Sequence, residues 1–141
     1  VSRIFWDTML FIYLLEDNEK FAPRVRDRLE DSYRRGDTLL TSHLALGELM
    51  AGGSRLHATA EEAHSTIVDM GFSFLPFDSR CVATFGKLRS EMGLKAPDSI
   101  HLACAAAAGV DMFLTGDTKL LNRRLHIPGI HFIVDFNVPV L

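Results

Sequence analysis

Five short β-prone runs punctuate this chain, and helical periodicity fills every interval between them. The runs are Ile4–Trp6, Thr38–Thr41, Phe72–Phe77, Asp111–Thr115 and Ile130–Val134. Strands joined by a tight turn run antiparallel, whereas strands joined through a helix cross over and run parallel. The order βαα-βαα-βαα-βα-β therefore predicts a mostly parallel central sheet with helices covering both faces, an α/β architecture. At 141 residues and 48% hydrophobic composition, the whole chain, 1–141, reads as a single domain with a true core.

Each interval carries its own start and stop signals. Met9–Leu15 is apolar nearly all round. From Ala22, the positions Ala22, Val25, Leu29 and Tyr33 mark one helical face. On the opposite, charged face Arg26–Glu30, Glu30–Arg34 and Asp31–Arg35 stand at i,i+4 spacing. Ser42 is a favourable N-cap for a helix His43–Ala51 that Gly52-Gly53 ends. Leu56, Ala60, Ala63, Ile67 and Met70 form the stripe of a helix His57–Met70, closed by Gly71. Asp78-Ser79 caps a helix that carries Cys81, Phe85, Leu88 and Met92. Pro97-Asp98-Ser99 opens a small-residue apolar helix expected to be buried, and Lys119–Arg124 is a short helix before the last strand.

No apolar run approaches the roughly 18 residues that span a bilayer. No basic-then-apolar leader opens the sequence. A soluble, cytoplasmic protein is the expectation. Cys81 and Cys104 lie outside any C-x-x-C pair, each within an apolar helical pattern, so buried free thiols fit better than a disulfide. His43, His57, His64, His126 and His131 are scattered without zinc-ligand spacing.

Four acids stand apart from those that decorate surfaces. Asp7 ends the first strand, Asp117 follows the fourth, and Asp98 lies in the first turn of the buried helix. Glu48 sits in Leu44-Ala-Leu-Gly-Glu-Leu-Met-Ala51, with no Lys or Arg within four residues. Each has an ordinary reading. Asp7 and Asp117 also serve as helix N-caps or turn residues, and Asp98 suits the positive end of a helix dipole. Glu48 has the weakest such reading, because a carboxylate among apolar neighbours costs desolvation unless something pairs with it.

Taken together the four point to one site. In a parallel sheet the ends of strands 1 and 4 can meet at the switch point, and ligands bind there. Carboxylates packed together repel and raise one another's pKa, a conflict that a divalent cation resolves. An all-oxygen donor set without a His–Cys cluster predicts Mg²⁺ or Mn²⁺ as cofactor, with Asp7, Glu48, Asp98 and Asp117 as candidate metal and catalytic residues. Acid-held Mg²⁺ supports phosphate chemistry. The net charge of −3 speaks against a nucleic-acid partner until these four acids are set aside, which leaves +1 over the rest. Arg55, Lys95, Lys119, Arg123 and Arg124 lie near the site segments and can form a basic rim for a polynucleotide backbone. Gly116 reads as the residue that lets the chain turn tightly before Asp117.

Asp7-Thr8 with Leu10–Tyr13, Ser42-(x)5-Glu48-Leu49, Pro97-Asp98-Ser99-Ile100-(x)2-Ala103 and Leu114-Thr115-Gly116-Asp117 occur here in an order that resembles PIN-domain ribonucleases. The likeness is nearest to the VapC-like toxins of type II toxin–antitoxin pairs and extends to Ile127-Pro128-Gly129-Ile130. It implies a three-layer α/β/α sandwich, a Mg²⁺- or Mn²⁺-dependent endoribonuclease acting through metal-activated water, an RNA substrate, a cognate antitoxin and a homodimer. It places Asp7, Glu48, Asp98 and Asp117 in the acidic constellation and Thr115 as a hydroxyl beside it. The position two after Asp7, commonly Asn in the family, is Met9, which cannot hydrogen-bond an acid or a water. That departure supports the alternative of an inactive PIN-like binding protein. His101, three residues after Asp98, can share its helical face, to contact RNA or simply to hydrogen-bond within the fold. A haloacid-dehalogenase-type phosphatase needs Asp-x-Asp at the first strand, and Asp7-Thr8-Met9 lacks the second Asp.

Overall fold

The computed structural model describes residues 1–52 and 59–139. Strands β1 (Arg3–Trp6), β2 (Thr38–Ser42), β3 (Phe72–Leu75), β4 (Val110–Thr115) and β5 (Ile130–Asp135) form one sheet in the order β3-β2-β1-β4-β5. Every pairing is parallel, as a helix in each interval requires. Side chains of the central β1 alternate between two faces. Ile4 and Trp6 enter one core and Phe5 the other, and all three are buried. That is why the strand shows no polar alternation in sequence.

On the Ile4/Trp6 face lie α1 (Thr8–Leu15), α2 (Ala22–Arg35), α3 (His43–Gly52) and α4 (Ala60–Asp69), through Leu10, Phe11, Val25, Leu49 and Ile67. On the other face, α5 (Val82–Ser90), α6 (Ala96–Ala108) and α7 (Thr118–Asn122) bring Leu88, Leu102, Ala105 and Leu120 against Phe5 and Phe113. The rings of Phe5 and Phe113 stack 4.9 Å apart across the β1–β4 pair. The chain steps outward from β1 through β2 to β3 under one layer of helices. It then returns to β4 under the other. β1 and β4 are therefore neighbours whose connections leave in opposite directions, which opens a crevice beyond their carboxyl ends.

Local expectations change in several places. β3 stops at Leu75, because Pro76 has no N–H for the ladder. On α2, Tyr33 is more than half exposed, and its hydroxyl donates to the Met70 carbonyl at 2.6 Å. The α2 cations pair differently from the i,i+4 pattern: Arg26 with Asp17, Arg28 and Arg34 with Asp31, and Arg35 with Asp37. Two of the three partners, Asp17 and Asp37, lie outside the helix, where a helical count cannot find them. Thr59 caps α4, its Oγ1 accepting the Glu62 N–H at 3.1 Å. The helix start expected at His57, together with Gly53, Arg55 and Leu56, lies outside the described residues. Asp78 caps a single 3-10 turn, Ser79–Cys81, which continues into α5.

Cys81 and Cys104 are buried free thiols, as expected. Both point at the Pro76 carbonyl, at 3.8 and 3.6 Å. Burial, reinforced by Cys81 beside it, pushes the Cys104 thiol up to about 12.

Candidate active site

Asp7 and Asp117 are both N-caps, so the ordinary reading of each is correct. Asp7 Oδ1 accepts the Thr8 N–H at 2.8 Å and starts α1. Asp117 Oδ1 accepts the N–H groups of Lys119 and Leu120 at 3.0 and 3.2 Å and starts α7. The caps are also linked. The Asp117 N–H donates to Thr115 Oγ1 at 3.1 Å, and the Thr115 hydroxyl donates to Asp7 Oδ2 at 2.8 Å. The Asp7 N–H donates to the Leu114 carbonyl at 3.0 Å, which carries the β1–β4 ladder one rung past the strand. Thr115, fully buried, thus ties the two strand ends together. Burial raises the Asp7 carboxyl above its ordinary value, against the opposing pull of His101, Thr115 and Thr8.

Glu48 on α3 is paired, though not with a cation from its own helix. Its Oε1 accepts the Thr8 hydroxyl at 2.6 Å and lies 2.6 Å from His101 Nε2. The other ring nitrogen, Nδ1, lies 2.8 Å from Ser42 Oγ, which also accepts the Ala45 N–H at 3.3 Å. His101 thus bridges Glu48 and Ser42 through its two ring nitrogens, with Thr8 Oγ1 also 3.2 Å from Nε2. The His101 bond, with help from Thr8, holds the Glu48 carboxyl below its usual range. His101 is 2% exposed and Ser42 is fully buried. The small-residue helix α6 is what lets the imidazole reach across the ends of β1 and β2.

Asp98 lies in the first turn of α6, whose N-cap is Lys95. Burial raises its carboxyl first, and the charges of Asp7 and Asp117 raise it further. The charges of Asp7 and Asp117 thus reach Asp98 at one edge of the sheet. Glu48 joins them through Thr8 and His101.

Gly116 has a different reason from the one expected. Its φ is outside the left-handed region. A Cβ there would come within 2.7 Å of the buried Phe136 ring and 3.6 Å from Met9 Sδ. Glycine is required by space rather than by the turn. Met9 is partly exposed and packs against Gly116.

Thr8 and His101, the partners of Glu48, and Ser42, the partner of His101, were undervalued in the sequence. The available signal was the single imidazole on an otherwise apolar helix, one turn from Asp98. Of the other histidines, His43 and His64 stack on Phe74, and His131 lies 3.3 Å from Asp111.

Among the described residues, no three carboxylate, imidazole or thiol groups close on a common point as a formed metal centre would. The carboxylates along this edge nevertheless offer oxygen donors, and Asp98 is raised by burial and by the charges of Asp7 and Asp117. That chemistry fits a hard divalent cation, which offsets both burial and like charge.

The PIN domain family model matches residues 4–124. The chain belongs to the PIN domain family. In fold, this PIN domain superposes on a chain of Rickettsia felis VapBC2 bound to a promoter DNA fragment, with TM-score 0.69 and 20% identity over 94% of this chain and 98% of that one. It matches a chain of DNA-bound VapBC from Salmonella typhimurium with TM-score 0.68 and 20% identity, over 96% and 99%. VapBC-1 of nontypeable Haemophilus influenzae gives TM-score 0.67 and 18% identity, over 96% and 99%. At these identities the likeness is one of fold. No curated protein matches in sequence.

Proposed function

We propose that this PIN domain is a Mg²⁺- or Mn²⁺-dependent endoribonuclease that hydrolyses RNA phosphodiesters as the cytoplasmic toxin of a toxin–antitoxin pair. PIN domains are generally nucleases, and this chain keeps an acidic edge that such chemistry needs. One observation carries the reading: Thr115 ties Asp7 and Asp117 together at two strand ends, and Asp117 lines one recess with Asp98 of α6. Carboxylates held in repulsion oppose folding, and a cation gives the arrangement its use.

Asp7, Asp98 and Asp117 would hold the cation, with Glu48 as a further ligand or as the partner of the attacking water. When bound, the cation supplies an acidified water and offsets charge on the phosphate. Thr115 fixes Asp7 by its 2.8 Å bond, and the Asp117 N–H in turn fixes Thr115. His101 and Thr8 fix one oxygen of Glu48. Met9 takes no part in these hydrogen bonds, and RNA cleavage separates catalysis from a binding-only role.

The test is cleavage of a mixed single-stranded RNA in Mg²⁺, Mn²⁺ or EDTA. Metal-dependent products with 5′-phosphate and 3′-hydroxyl ends are expected. Asp98→Asn should lower the rate at least about 100-fold, roughly 2.7 kcal/mol of barrier. Equal metal-dependent cleavage by the variant overturns the assignment.

An antitoxin partner and a homodimer belong to the same proposal. The fold matches include a toxin–antitoxin complex from Klebsiella pneumoniae. Core packing takes Leu10, Phe11 and Leu49, and leaves Met9 on α1 and Met50 on α3 at 37% and 43% exposure. A solution mass of one chain by light scattering would remove the homodimer.

A further inference from the structure

A cleft of about 180 Å³ opens beside the acidic edge, between the loop that leads into α6 and the helix α7. Its buried floor is Leu94 and Leu120, and Asp98 and Asp117 form the wall toward the site. Three cations complete the lining: Lys95, the N-cap of α6, Lys119 on α7, and Arg123, the C-cap of α7 four residues on. That spacing puts both α7 cations on one helical face. The Arg123 guanidinium also donates to the Met92 carbonyl, which ties α7 to the loop before α6.

These cations differ from five arginines elsewhere in the fold. Arg26, Arg28, Arg34, Arg35 and Arg80 all lie within 4 Å of a carboxylate. Lys95, Lys119 and Arg123 form no such pair with any described residue, although Asp98 and Asp117 share their cleft. Asp117 is engaged as the cap of α7, and the three positive charges line the recess without a carboxylate partner. The recess is smaller than the roughly 300–1,000 Å³ of sites that enclose a whole small molecule. It suits part of a chain: a phosphodiester against the cations, with its ribose over the leucine floor.

We propose that this cleft seats the RNA phosphodiester adjoining the one to be cleaved, and so sets on which flank of the site the strand is held. The proposal rests on the nuclease reading for the identity of the strand. Lys119 and Arg123 grip the backbone without reading bases, and Lys95 closes the recess near Asp98. Binding through this cleft is consequently salt-dependent and indifferent to the sequence at that nucleotide.

The experiment uses the full chain carrying Asp7→Asn, which keeps a good helix cap and removes one site charge, so that bound RNA stays intact. Binding of a short labelled single-stranded RNA is followed by anisotropy in Mg²⁺ across a salt series. It is compared in this background with added Lys119→Ala/Arg123→Ala and with added Arg24→Ala/Arg34→Ala on the distant α2. The cleft pair should flatten the slope of log affinity against log salt by about 0.7, the share of the one seated phosphate on a single strand. The α2 pair should leave the slope unchanged, and Lys119→Arg/Arg123→Lys should restore it. Equal slopes in both alanine pairs, or no RNA binding in the Asp7→Asn background, overturn the proposal. Cleavage by the unsubstituted chain is read separately. A chain that fails to cleave but still shows the cleft-specific slope removes the nuclease reading and leaves the cleft.

Discussion

Asp98 opposes the fold that carries it. Burial and the charges of Asp7 and Asp117 place its carboxyl above its ordinary value in the folded, metal-free chain. A raised folded value means that Asp98 stabilises the fold only below its unfolded pKa, and that this contribution is lost as pH rises through the folded value. Near neutral pH the ionised group therefore works against folding. Asp98→Asn in EDTA should raise the melting temperature near neutrality, and the gain should shrink as pH falls toward the ordinary carboxylate range. A melting temperature unchanged or lowered at neutral pH counts against the repulsive cluster. Glu48 has the opposite sign. The His101 hydrogen bond lowers its carboxyl, so its contribution is present above its unfolded value and is lost as pH falls through the folded one. Removing that partner with His101→Gln should cut RNA cleavage roughly 10–100-fold, the usual cost of losing a group that orients a ligand. Unaltered cleavage would limit His101 to packing. At this scale the sequence showed the charges more clearly than their partners. Glu48 was conspicuous because no cation was near it in sequence, but its partners come from residues 40 and 53 positions away.

Elements were legible wherever the local chemistry was decisive. Asp7, Ser42 and Asp117 start helices by side-chain bonds to nearby N–H groups, a purely local effect, and their positions could be read directly. Pro76 could also be read as a strand end in principle, yet the run Phe72–Phe77 is apolar throughout and conceals it. Gly116 was visible as a glycine, but its reason is the ring of Phe136, twenty residues on. Gly129 makes the same point more strongly. It sits at φ +99°, and a Cβ there would lie 2.3 Å from the Ala106 carbonyl oxygen of α6, while its own carbonyl accepts the Val110 N–H at the start of β4. Gly129→Ala combines left-handed strain with a backbone clash, so it should cost at least about 2 kcal/mol in chemical denaturation. A loss under half of that would mean that the β4–β5 corner gives way easily.

For the whole molecule, alternation of strands and helices was enough to make the sheet parallel and covered on both faces. It was not enough to order the strands. The order β3-β2-β1-β4-β5 depends on which face each pair of helices covers, a property of three-dimensional packing. Only that order brings Asp7 and Thr115 within a hydrogen bond across 108 residues. The assembled edge predicts a global response. A cation that binds only the folded chain must raise its melting temperature, by about 2.7 kcal/mol of added stability at a hundred times its dissociation constant. Mg²⁺ or Mn²⁺ should stabilise the unsubstituted chain more than Asp98→Asn. An equal shift in both proteins would place the ion elsewhere.

The double duty that the proposed function gives Asp7 and Asp117 also bears on how the proposed activity can be silenced. Each starts a helix with one carboxyl oxygen, so alanine at either position frays the scaffold as well as the site. Asparagine keeps an oxygen for the N–H groups of the first turn and gives up the charge. Exchange of one oxygen for nitrogen at position 7 or 117 should therefore yield a chemically mute twin that retains the parent's surface. Such a twin would let partner recognition be followed without the chemistry.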